Sequence, residues 1–581
     1  MISYRIEPLD LHAHLFRVSV RITEPAAEQR VSLPVWIPGS YLVREFQRHL
    51  QRLSARQGSR ALNVEQLDKA SWLLRCQGRA ALELSYEVYA FDTSVRAAFL
   101  DATRGFFNGT GVFLRVEGRE QEPQRLEIRG LPRGWKVATA LPAVQVDARG
   151  QGAYEAADYD ELVDQPVELG DFWRAEFRAG GVVHELVVAG ALPGFDGERL
   201  LKDTRRICEA QIAFWHGRKR PPFKRYVFLL NAAEDNYGGL EHRASTALIC
   251  SRRDLPREGD SGQSDGYVTL LGLISHEYFH TWNVKRLRPV EFARYDYTQE
   301  NYTRLLWFFE GFTSYYDDLF LVRTGLIDEA RYMKLLGKTI GGVLATPGRQ
   351  LQSVAQASYD AWIRYYRQDE NSVNSTVSYY TKGSLVALAL DLQLRSEGRG
   401  SLDEVMLELW RRSSGGPVSE ADISAALEQV SGRSYEDELA RWVHGTADLP
   451  LPALLQAAAI AWKDQPAPLA QRLGLRSADG AGGVVQVKAV VRGGAAEQAG
   501  LAAGDELLAV NDWRLRKLED LPLLAAPGGP LELLVARDQR LLRLRARLPD
   551  AESVQGPVML GPAAQAAPEA LALREAWLGR R

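Results

Sequence analysis

Two histidines four residues apart, His276 and His280, bracket a glutamate, Glu277, and this spacing constrains the chain more than any other feature. Each residue of an α-helix turns by about 100°, so positions i and i+4 lie about 40° apart on one face. Both imidazoles can then reach one metal ion with Glu277 beside it. Zinc takes nitrogen and oxygen ligands and, in catalytic sites, keeps a fourth position open for water. A glutamate next to that position can take the water's proton, which is the mechanical content of the His-Glu-x-x-His pattern. The bland alternative is a helix with two surface histidines. Against it, residues 267–274 form the apolar run that a buried helix requires, and the chain has only nine histidines.

A third ligand should be a carboxylate. Glu310 sits in Leu305-Leu306-Trp307-Phe308-Phe309-Glu310-Gly311-Phe312, amid large apolar groups. Burial there is costly for a charge that is neither paired nor bound to metal, which makes Glu310 the best candidate. Its competitors are Glu291, Asp296 and Glu300, in a polar, loop-like stretch. Upstream, Gly238 and Gly239 precede Leu240-Glu241-His242 and a strand-like run, 246–250. Glycines beside a carboxylate at a sheet edge allow a substrate backbone to approach closely, although a turn with a solvated glutamate has the same composition. Tyr379 and Tyr380 lie on a later helical segment, where a hydroxyl pointed at the cleft can stabilise a developing oxyanion; two packing tyrosines are the alternative.

At 581 residues the chain exceeds one core. Alternating apolar and polar residues in 15–22 and 82–89 predict a β-sandwich-like domain over 1–165. Within it, Trp36-Ile37-Pro38-Gly39-Ser40-Tyr41 and Arg104-Gly105-Phe106-Phe107-Asn108-Gly109-Thr110 read either as aromatic core with turn glycines or as loops facing the cleft. Mixed, then helical, patterns fill 166–455. Residues 456–468, rich in Ala, Leu and Pro, read as a linker; 469–548 read as a compact β module, and 549–581 as a tail. The expected class is multidomain α+β. A net charge of −3 gives no reason to expect nucleic acid or an anionic membrane surface as a partner. Cys76, Cys208 and Cys250 have no CxxC partner and read as core thiols. With no apolar signal segment and no stretch of roughly 20 apolar residues, a cytoplasmic location is expected.

The segment His276-Glu277-Tyr278-Phe279-His280-Thr281-Trp282-Asn283-Val284-Lys285-Arg286-Leu287-Arg288-Pro289 resembles the zinc segment of the glycyl aminopeptidase family, metallopeptidases with a C-terminal PDZ domain. The two aromatic, glycine-rich segments of the N-terminal domain are similar to that family too. The catalytic part also resembles the thermolysin-like aminopeptidases related to aminopeptidase N. Trp307-Phe308-Phe309-Glu310-Gly311-Phe312 matches their third-ligand segment. In those cousins the glutamate commonly falls where this chain has Gln299, and the longer spacing to Glu310 fits the glycyl aminopeptidase branch. Gly238-Gly239-Leu240-Glu241-His242 is similar to the segment that holds the substrate's amine, with His242 in place of Asn. Tyr380-Thr381-Lys382-Gly383 fits the frame of the oxyanion tyrosine. Arg472-Leu473-Gly474-Leu475 resembles a PDZ carboxylate-binding loop.

The resemblance implies one Zn²⁺ per chain on His276, His280 and Glu310, with Glu277 as general base, Tyr380 as oxyanion donor and Glu241 as amine anchor. It implies removal of an N-terminal Gly, and also Ala, from peptides with a free amino terminus, and capture of a peptide C-terminus at Leu473, Gly474 and Leu475. Two rivals stand beside it: an endopeptidase that uses the PDZ domain to capture chain ends, and a peptide-binding scaffold with a dead catalytic domain.

Overall fold

Period-two patterning shapes the first part of the chain. In strand Ile2–Asp10 the residues Ile2, Tyr4 and Ile6 face inward, and in Leu15–Ile22 so do Phe16, Val18, Val20 and Ile22, all buried. The two strands pair antiparallel with Ile2 opposite Ile22. They lie in an eight-stranded sheet, in the order Ala143–Val146, Gly152–Ala156, Gln124–Ile128, Ile2–Asp10, Leu15–Ile22, Leu82–Tyr89, Leu50–Gln57, Arg60–Leu62. Two four-stranded sheets close the other side over a shared core that includes Val31, Leu74, Phe107 and Leu169. This is the expected β-sandwich-like arrangement. Residues 104–107 form one of its strands, buried apart from half-buried Arg104, whose side chain makes a two-pronged ion pair with Glu168. That segment is therefore sandwich core.

The computed structural model describes residues 1–480, 483–525 and 528–579. The core does not stop at residue 165: Leu229, Leu240, Ala247 and Ile249 belong to the same cluster. They come from a five-stranded sheet in the order Trp173–Ala179, Val182–Ala189, Arg225–Ala233, Ser245–Ser251, Gly238–Glu241. The middle three strands run parallel, and the short strand Gly238–Glu241 is an antiparallel edge. Because side chains alternate, Leu240 enters the sandwich core while Gly239 and Glu241 turn to the opposite face, against helix Asp265–Phe279. That helix starts at Ser264, whose hydroxyl accepts from the backbone of Tyr267, and it is apolar nearly all round because it is buried nearly all round.

The chain forms two compact units. The first comprises Met1–Tyr302, Tyr316–Leu326 and Trp410–Val418; the second comprises Thr303–Tyr315, Ile327–Leu409 and Ser419–Arg581. Helix Leu306–Arg323 is continuous and contributes to both. The second unit is mostly helical up to residue 457 and then carries a sheet containing Leu475–Gly480, Val484–Val490, Glu506–Val510, Pro530–Arg537 and Arg540–Arg547. That sheet has its own core, with Leu473, Leu475, Val487, Leu507 and Val535 buried.

Two stretches differ from their sequence reading. The supposed linker, 456–468, holds strand Ile460–Asp464, which pairs antiparallel with Val558–Pro562 from the supposed tail. The tail continues into helix Pro568–Trp577, and buried Trp577 donates its indole N–H to the Tyr315 hydroxyl at 2.8 Å. Tyr315 in turn donates to Asp391 at 2.5 Å. The terminal β module is also clamped within its unit. The Asn374 amide donates to the Val490 carbonyl at 2.9 Å and accepts from the Arg492 backbone at 2.8 Å. The three cysteines are buried free thiols. Among the described residues no helix is long and apolar enough to cross a membrane.

Candidate active site

Helix Asp265–Phe279 delivers the site. His276 and His280 lie one turn apart, and their Nε2 atoms face each other at 3.0 Å. Each ring is fixed from behind: His276 Nδ1 donates to Asp317 Oδ2 at 3.0 Å, and His280 Nδ1 to the Asn283 carbonyl at 2.8 Å. With both protons on Nδ1, both Nε2 lone pairs turn to one point. Two nitrogens bound to zinc at about 2.05 Å with tetrahedral geometry stand about 3.3 Å apart, close to this separation. The donor set therefore fits a metal ion. The ligand atoms of His276, His280 and Glu310 all lie within 4.8 Å of one another, and Glu310 is 2% exposed. The competitors do not join them: Glu291 is exposed, Asp296 caps Thr298 and Gln299 in its own loop, and Glu300 is in no such group.

Asp317 was not singled out from sequence. It follows Glu310 by seven residues, two turns of one helix, and so shares its face within about 20°. Burial pushes the Asp317 carboxyl up, and the hydrogen bond from His276 pulls it back. Its neighbour Asp318 is pushed far up, by burial first and by Asp317 second.

Glu277 is 5% exposed, and its seat depends on a missing side chain. A Cβ at Gly239 would lie 2.1 Å from Glu277 Oε1 and 2.3 Å from its Cδ. Gly39, at φ +94°, does the same for Glu241: a Cβ there would stand 2.5 Å from Oε2. Thus Trp36-Ile37-Pro38-Gly39-Ser40-Tyr41 serves both readings, with Trp36 and Tyr41 buried and Gly39 against the site carboxylate. Glu241, Glu277 and His280 form a second group within 4.8 Å. We expect Gly239→Ala to displace the Glu277 carboxylate and lower kcat about tenfold to a hundredfold, as ångström-scale misplacement does, with steady-state kinetics as the readout.

Beside Glu241 lies a buried charge cluster. Lys285 Nζ stands 2.8 Å from Asp164 Oδ1, the Arg243 backbone N–H donates to Oδ2 at 2.8 Å, and His242 Nδ1 lies 3.4 Å away. Burial would depress the Lys285 ammonium, yet Asp164 first, and Glu241 among lesser influences, hold it above its usual range. Burial alone would raise the Asp164 carboxyl, but Lys285 and His242 keep it well below. His242 is thus a partner of Asp164.

Tyr380 immediately precedes helix Thr381–Ser396. Burial, and then the nearby Glu310 carboxylate, push its phenol far up, so it stays a proton-bearing donor. Tyr379 is fully buried and stacks on Tyr380 at 4.7 Å, whereas Tyr380 is half-buried. The glycines that follow Glu310 and Lys382 have a shared cause. A Cβ at Gly311 would meet Gly383 backbone at 2.6 Å, and one at Gly383 would meet the Trp307 carbonyl at 2.6 Å. The two helices touch backbone to backbone, which brings the Glu310 and Tyr380 helices together. In the last module, Gly474 takes a left-handed turn at φ +70° between buried Leu473 and Leu475, and edge strand Leu475–Gly480 follows.

Residues 3–171 match the Peptidase M61 N-terminal domain, 269–386 the M61 glycyl aminopeptidase family, and 486–537 a PDZ domain. No curated protein matches the chain. Among solved structures, an aminopeptidase N family protein from Idiomarina loihiensis is 37% identical, with a TM-score of 0.93 over 100% of both chains. An M1 zinc metallopeptidase from Deinococcus radiodurans bound to a Tyr-Ser-Ala substrate is 14% identical, with a TM-score of 0.48 over 78% of this chain and 95% of that one. With its N-terminal β domain, histidine helix and C-terminal PDZ domain, and with a full-length relative at this identity, the chain belongs to the M61 glycyl aminopeptidase family of metallopeptidases.

Proposed function

We propose that this protein is a zinc aminopeptidase that removes an N-terminal glycine, and also alanine, from peptides with a free amino terminus. The observation that carries the reading is the gathering of Glu241, Glu277 and His280 within 4.8 Å, which sets a carboxylate for the substrate's amine beside a carboxylate for proton transfer. His276, His280 and Glu310 would hold the ion, one per chain, with Asp317 fixing His276. Zinc bound there lowers the pKa of water from about 15.7 toward about 7 and polarises the scissile carbonyl.

The chain's own groups do the rest. Glu241 pairs with the substrate's ammonium and so sets the cut one residue in. Glu277 takes the water's proton and returns it to the departing amine. Tyr380 donates to the oxyanion, a contribution of about 3–4 kcal/mol when a single such donor is removed. Gly238 and Gly239 let the substrate backbone lie against the edge strand. Leu473, Gly474 and Leu475 would meet a peptide C-terminus beside edge strand Leu475–Gly480, with the Gly474 N–H already donated to the Gln471 carbonyl at 3.0 Å.

Blocking the amine tests the reading. Wild-type protein should cleave Gly-Phe amide and leave N-acetyl-Gly-Phe amide essentially intact, and Glu241→Ala should lower kcat/KM for the free peptide by about 10²-fold or more, the cost of losing a charged anchor. Equal cleavage of the acetylated peptide would point to an endopeptidase, and absence of both metal and hydrolysis to a binding scaffold.

A further inference from the structure

Tyr237 stands immediately before the edge strand Gly238–Glu241 and keeps 57% of its surface open, although it is large and aromatic. Side chains alternate along an extended chain, so Tyr237, Gly239 and Glu241 share the face turned to the histidine helix. The glycine and the glutamate confirm that face: Gly239 abuts Glu277, and Glu241 gathers with Glu277 and His280. Along the strand the order is therefore Glu241, then the Glu277 position, then Tyr237. At about 3.3 Å per residue, Tyr237 follows Gly239 by about 7 Å. Among the described residues the strand pairs only with Ser245–Ser251; on its other side no strand follows, and Arg96 donates to the Gly239 carbonyl at 3.2 Å.

A peptide laid along that edge with its amine at Glu241 and its scissile carbonyl by Glu277 carries its second residue toward Tyr237. We infer that Tyr237 forms the wall of the subsite for the first residue of the departing fragment and favours an apolar or aromatic side chain there. The inference rests on the aminopeptidase reading above. Burial of its phenol first, and Asp317, Glu277 and Asp318 after it, push the Tyr237 hydroxyl up, in keeping with a side chain on this face, and the ring offers an apolar surface for contact.

The test compares kcat/KM for Gly-Phe amide with that for glycinamide, which has no second residue, in wild type, Tyr237→Ala and Tyr237→Phe. The expected result is that the ratio of the two falls about tenfold in Tyr237→Ala, as for a lost apolar contact, and stays within about threefold of wild type in Tyr237→Phe. An unchanged ratio in Tyr237→Ala overturns the inference. So does a loss on both substrates that keeps the ratio, since it would place the hydroxyl in the chemical step. The two readings fail separately. Wild-type cleavage of the acetylated peptide sinks the aminopeptidase reading, whereas an unchanged ratio in an enzyme that demands a free amine sinks only the role of Tyr237.

Discussion

Glu277→Gln should keep its metal and lose about 10²- to 10⁴-fold in kcat, the range over which a positioned acid–base group contributes. The amide nearly matches the carboxylate in size, so the tight fit against Gly239 survives the exchange. What disappears is the proposed ability to accept a proton from water and deliver it to the leaving amine. KM should change little, because in the proposed mechanism the amine is held by Glu241. Metal analysis of the purified variant beside steady-state kinetics checks both halves. The metal measurement also decides between two overlapping groups. Glu277 gathers with Glu241 and His280, while His276 and His280 gather with Glu310. A variant that loses its metal would move the ion to the first group and make Glu277 a ligand.

Glu310→Ala should empty the site. Changes behind a ligand typically cost about 10- to 100-fold in metal affinity, and loss of a ligand itself should cost at least about a hundredfold. The purified variant should then carry well under one equivalent of zinc and show no activity until zinc is added in large excess. Metal titration of the apoprotein, wild type against variant, gives the ratio directly. Unchanged zinc content would transfer the role to another acid. The structure narrows that choice, because Asp296 is occupied by its own loop and Glu291 is exposed.

Local rules made the central helix legible. The His276–His280 spacing, the apolar run before it and the misplaced charge at Glu310 each state a physical requirement in a few neighbouring residues. Alternation did the same for the sandwich strands. Asp317 was within reach of the same reasoning, since seven residues along a helix return to the same face. Other features depend on partners far apart in sequence. Nothing near His242 announces that Asp164 will accept from its ring, or that Lys285 will share that carboxylate. The composition around Gly39 fits core packing as well as a cleft, and the fold uses it for both. The pairing of Ile460–Asp464 with Val558–Pro562 was hidden for the same reason: a short strand amid alanines and prolines shows its nature only when its complement arrives.

That pairing makes the PDZ domain an excursion from a host and not an appendage. A protein shortened after residue 465 would shed the return strand and Trp577 along with the PDZ domain, and Tyr315 would lose the indole that donates to it. Inactivity of such a fragment would report damage to the host. The informative excision is internal. Asp464 lies opposite Val558, so the two can be rejoined by a two-residue hairpin turn that leaves the ladder intact. The excision opens the Asn374 clamp, and Asn374→Ala in the whole protein serves as the control for that loss.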